Sequence, residues 1–95
     1  MKIEGLNVNL TCEAEPIQYE GTLDGLPVVF RARHGKWQFG VALDPAARID
    51  DAYNVSTGAL AGFQLTGKAR IVFVKDADPI FTDCVHQFRA SRVAA

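Results

Sequence analysis

The sequence predicts an α+β fold: an antiparallel β-sheet built from hairpins, about five to six strands, with a C-terminal α-helix packed on one face. Three observations predict it. Residues 17–43 alternate between apolar and polar around two tight-turn signals. A second pair of apolar-rich runs follows at 59–74. The chain then carries Phe81, Cys84, Val85 and Phe88 at i, i+3, i+4 and i+7, one stripe of an amphipathic helix.

The 17–43 stretch justifies a three-stranded meander. Asp24-Gly25 favours a two-residue hairpin loop, because both central residues of that turn need positive φ. Such a loop places Leu23 opposite Leu26, Tyr19 opposite Phe30 and Ile17 opposite Ala32. Side chains alternate between faces along a strand, so Ile17, Tyr19, Leu23, Leu26, Val28, Phe30 and Ala32 share an apolar face. Gln18, Glu20, Thr22, Pro27, Val29, Arg31 and Arg33 share the other. The next turn is either His34-Gly35 as type I′ or Gly35-Lys36 as type II′. Both put Trp37, Phe39, Val41 and Leu43 on the apolar face and Gln38, Gly40 and Ala42 on the polar one. Glu20 falls diagonal to Arg31, and an exposed cross-strand ion pair there contributes little.

The flanking elements follow in order. Residues 6–13 alternate through Leu6, Val8, Leu10 and Cys12, a half-buried strand that ends at Glu13-Ala14-Glu15-Pro16. Asp44-Pro45 is a helix start signal and predicts one or two helical turns over 45–53, with Ile49, Ala52 and Tyr53 as its stripe, then a loop. A second hairpin is expected with strands over 59–65 and 69–74 and a turn at Thr66, Gly67 and Lys68. Leu65 then faces Ala69, and Phe63 faces Ile71. Ile71-Val72-Phe73-Val74 is apolar on both faces, the pattern of a doubly covered strand. Asp78-Pro79 repeats the helix start and predicts the final helix over 79–92.

Ninety-five residues set the expectation of one domain, 1–95. The 48% hydrophobic and 22% charged composition is that of a folded chain, and the formal net charge of -1 gives no whole-chain nucleic-acid footprint. No apolar run approaches a membrane span, and the N-terminal residues lack a signal-peptide core, so a cytoplasmic protein without membrane association is expected. Cys12 and Cys84 are too few for a disulfide framework and have no partner at metal-ligand spacing; buried free thiols are expected.

Motifs that carry chemistry are missing. Cys84 and His86 are two apart on a helix and point in different directions. The acidic pairs Asp50-Asp51 and Asp76/Asp78 lack calcium-loop spacing. No histidine pair has zinc spacing, and no glycine-rich phosphate loop is present. The sequence therefore predicts a non-enzyme with no cofactor and no metal site.

The distinctive surface is the polar face of the meander and its second turn. Arg31, Arg33, His34, Lys36, Trp37 and Gln38 concentrate there, and Arg and Trp are residue types that anchor protein interfaces. The leading expectation is a small non-enzymatic binding module acting by protein–protein contact. β-Rich domains of this size without a catalytic signature are often carried by phages and mobile elements, so an inhibitor, for example of a host defence complex, or an adaptor is the expected category. Free strand edges or the open polar face also invite homodimerisation. Two alternatives come from other classes. One is a nucleic-acid-binding protein using the Arg31/Arg33 face; Glu20 among the arginines, the core-side parity of Trp37 and the near-zero net charge argue against nucleic acid as the partner. The other is a small enzyme or ligand-binding domain with a helix–sheet pocket where Tyr19, Tyr53, Cys84 or His34 converge.

Overall fold

Alternation and turn chemistry produce a continuous meander. The computed structural model describes residues 2–93. Five strands, β1 (Leu6–Glu13), β2 (Ile17–Leu23), β3 (Leu26–Arg33), β4 (Lys36–Val41) and β5 (Phe63–Lys68), form one antiparallel sheet in sequence order. Helix α1 (Ile49–Thr57) lies between β4 and β5 in the chain, and α2 (Val74–Val93) closes it.

The central register agrees with the sequence reading. Leu23 pairs with Leu26, Tyr19 with Phe30 and Ile17 with Ala32. Asp24 and Gly25 hold φ of 51° and 82°, and His34 and Gly35 hold 53° and 72°. Of the two options for the second turn, His34-Gly35 is the loop, because Arg33 pairs with Lys36 across it. Trp37, Phe39 and Val41 join the apolar face opposite Ala32, Phe30 and Val28. Leu43 does not: β4 ends at Val41 and Leu43 is exposed. The β1–β2 register shifts between Leu10 and Cys12. The Glu15–Pro16 peptide is cis where β1 turns into β2.

The apolar face and α2 make the main core. Phe81, Cys84, Val85 and Phe88, the expected stripe, are all buried. Phe81 stacks on Phe30 at 5.1 Å between ring centroids and meets Tyr19 and Phe39, while Phe88 packs edge-on against Phe63. Aromatic contacts of this kind add to the apolar area they bury. Tyr19 also donates a hydrogen bond to Asp78 Oδ1 at 2.8 Å, and Arg89 grips both carboxylate oxygens of Asp24 at the first hairpin tip, at 3.0 and 2.8 Å.

The 59–74 hairpin is corrected. Its first arm is β5, displaced to Phe63–Lys68 and paired with β4; Thr66, Gly67 and Lys68 are strand, not turn. The second arm is not a strand. Ala69 donates a last bond to the Gly35 carbonyl, and the chain then leaves the sheet for α2. Asp76, in the first turn of α2, accepts the backbone N–H groups of Val72 and Phe73. This captures amides that a strand would have needed and starts the helix at Val74. β-Propensity yields to that local competition, and Val72 and Phe73 are left exposed. Asp78 is therefore not an N-cap, and Pro79 lies inside α2.

The position of α1 is also corrected. Asp44 closes a tight turn instead, accepting from the Ala46 N–H at 2.9 Å. The helix begins later, with Asp51 accepting from the Arg48 N–H at 2.8 Å, and it extends through Thr57 to a Gly58 cap at φ 86°. It buries Ala52, Val55 and Ser56 against the sheet face opposite α2. Among the described residues, no helix is long and apolar enough to cross a membrane.

Candidate functional site

The face read as polar and open is half covered. Val29 is buried with Ala42, Ala52 and Val55 in a second, smaller core. Gly40, opposite Val29, permits the close approach: a Cβ there would stand 2.5 Å from the Ala52 carbonyl and from the Ser56 amide. Small residues at 40 and 42 beside Val29 are thus a helix seat, a signal present in the sequence but easily taken for a solvated face.

A polar seam fixes the edge of α1. Gln38 Nε2 donates to Ser56 Oγ at 2.7 Å, Ser56 Oγ donates to the Tyr53 carbonyl at 2.6 Å, and Gln64 Nε2 donates to the Ser56 carbonyl at 3.1 Å. Arg31 Nη1 donates to the Tyr53 hydroxyl, and the guanidinium carbon lies 5.6 Å from the Tyr53 ring centroid. Arg31 Nε is buried without a hydrogen-bond partner. Glu20, expected beside Arg31, accepts from Gln18 Nε2 at 2.7 Å instead; among the described residues it makes no ion pair with Arg31.

Past this seam, towards the His34-Gly35 turn, the sheet face opens into a cleft of about 770 Å³. All six residues singled out by sequence line it: Arg31, Arg33, His34, Lys36, Trp37 and Gln38, joined by Thr66, Gly67 and Lys68. The β5 contribution was invisible in the sequence, where Thr66 to Lys68 read as a turn. Pairing with β4 brings Thr66 opposite Gln38 and Lys68 opposite Lys36.

The cleft is electrostatically one-sided. Arg31, Arg33, Lys36 and Lys68 are basic side chains, and no carboxylate is among the lining residues described. Beside the cleft, Glu15 Oε2 lies 3.2 Å from His34 Nδ1. Two of the six residues hold α1: Arg31 through Tyr53 and Gln38 through Ser56. Arg33, His34 and Lys36 are exposed. Trp37 is half-buried. Its ring stacks on Phe30 at 6.1 Å and lies over Gly67, where a Cβ would stand 2.5 Å from Trp37 Cζ2.

The residues of the helix–sheet pocket idea do not come together. Tyr19 on β2 and Cys84 on α2 are buried between α2 and the sheet, whereas Tyr53 sits on α1 against the other face and His34 at a turn. Burial, reinforced by Asp83, pushes the Cys84 thiol up to about 12, and burial with the Asp78 hydrogen bond pushes the Tyr19 phenol up to about 12. Neither is poised as a nucleophile or base near neutrality. No group of three or more His, Cys, Asp or Glu residues able to hold a metal occurs among the described residues.

Comparison of the chain with protein-family models, with curated proteins and with solved structures finds no match.

Proposed function

We propose that the protein is a small non-enzymatic binding module that holds an acidic segment of another protein in the cleft between α1 and the His34-Gly35 turn. One observation carries this reading: residues from three strands converge on a single concave surface whose charged lining is wholly basic. Concave, one-signed surfaces concentrate ligands of opposite charge. A cytoplasmic inhibitor or adaptor, of the kind borne by phages and mobile elements, is the role that suits a small domain of this kind.

The test uses the immobilised protein and nuclease-treated lysate. Arg33→Glu and Lys36→Glu invert charge at exposed positions and leave the Arg31–Tyr53 and Gln38–Ser56 contacts intact. The reading predicts that captured protein is lost in the double variant, with circular dichroism unchanged. Retention of the same captured protein at the same yield removes the cleft from consideration.

A further inference from the structure

On the half-covered face, the register sets Arg33 opposite Lys36 and Lys36 opposite Lys68. Three cations therefore stand side by side on three adjacent strands. Directly opposed residues in an antiparallel sheet are about 4.5–5.5 Å apart at Cα, so the row spans about 10 Å. Like charges in that relationship destabilise a sheet. A lysine on β5, an edge strand, can guard against edge-to-edge pairing. β3 and β4 are interior strands, so that explanation does not extend to Arg33 and Lys36. All three side chains are exposed, and among the described residues none of them makes an ion pair. The row is a local repulsion that no ion pair among the described residues relieves and that a bound polyanion would.

Resting on the reading of the cleft as a protein-binding surface, we infer that its occupant is an α-helix carrying acidic side chains at i, i+4 and i+7, laid across β3, β4 and β5 beside α1. The spacing selects this shape. Helix positions three and four apart lie about 5–6 Å from one another, the interval of the cation row. Seven residues of helix rise about 10.5 Å, the length of the row. Same-face side chains of an extended strand recur about every 6.6 Å and fall out of step with it. The sheet face already accepts one helix, α1, and leaves the adjoining area bare. Single-stranded nucleic acid fits less well, because base stacking needs an available aromatic platform and the Trp37 ring is engaged by Phe30.

Fluorescence anisotropy at low salt tests this on the whole protein with two labelled alanine-rich peptides. One carries three glutamates on a single i, i+4, i+7 stripe. The other has the same composition with the glutamates spread around the helix, and both are matched for helicity. The stripe peptide is expected to bind at least about threefold more tightly, as three exposed ion pairs allow. That preference disappears in Lys36→Glu and persists in Lys75→Glu, a cation outside the cleft. Equal affinity for the two peptides overturns the helical occupant while leaving the cleft itself in place, since loss of protein capture in the Arg33→Glu, Lys36→Glu variant is read separately. Tighter binding of an oligothymidylate than of the stripe peptide overturns both.

Discussion

Lys36 and Lys68 face one another across β4 and β5, and Arg33 stands on the other side of Lys36. Neutralising the middle member removes two repulsions at once. Lys36→Gln is expected to stabilise the free protein by a few tenths of a kcal/mol at low ionic strength. Urea unfolding checks this. The gain shrinks as salt is added, because the charges are exposed and screened. A destabilised variant would mean that Lys36 makes a favourable contact the geometry does not contain.

Gly40 is where α1 meets the sheet. A methyl group there collides with the Ala52 carbonyl and the Ser56 amide, both backbone. Gly40→Ala is expected to cost roughly 1–3 kcal/mol, as overpacking does. Unchanged stability would show that α1 does not sit against β4.

Arg89 clamps Asp24 at 2.8 Å, and this hydrogen bond holds the Asp24 carboxyl below its ordinary value of 3.8. A depressed folded-state pKa contributes stability above the unfolded value and loses it as pH falls through the folded one. Asn also tolerates the positive φ at position 24, so Asp24→Asn isolates the charge. The pair is partly exposed, so the variant loses only about 0.5 kcal/mol at pH 7. Denaturant melts should show that gap closing once pH drops below the Asp24 folded pKa.

The two thiols differ in access. Cys84 is buried on the sheet-facing side of α2 and Cys12 is half-buried on β1. A thiol reagent near neutral pH should label Cys12 in the native protein and Cys84 only after denaturant is added, since the thiolate is the reactive form and burial suppresses it. Mass spectrometry of the labelled peptides reads this directly. Rapid native labelling of Cys84 would contradict the packing of Phe81, Cys84 and Val85 into the sheet.

The sequence made much of this architecture legible where one physical signal dominated. Asp24-Gly25 fixed a register that paired Tyr19 with Phe30, and the period of Phe81, Cys84, Val85 and Phe88 revealed the buried side of α2. It failed where two signals competed. Ile71-Val72-Phe73-Val74 has strand composition, yet Asp76 takes the Val72 and Phe73 amides and a helix begins. Asp44-Pro45 resembles a helix start but closes a turn ahead of one. The six residues named from sequence do line one cleft, because parity put Arg31, Arg33 and Gln38 on one face and the adjacent turn carried His34, Lys36 and Trp37. Lys68 was missed because its place depends on β5 pairing with β4 over a long connection. The load on Arg31 and Gln38 was missed because the helix they hold was expected over 45–53, four residues earlier than Ile49–Thr57, with a loop where Ser56 lies.

The central claim is that this basic cleft is where the protein binds. The most direct measurement is amide chemical-shift mapping of the whole protein during titration with the stripe peptide at low salt. Perturbations are expected to concentrate at Arg33, His34, Lys36 and Lys68 and at the neighbouring Trp37 and Gly67. Perturbations centred elsewhere, on the exposed Val72–Phe73 segment or spread evenly over Lys75, Arg89 and Arg92, would contradict it.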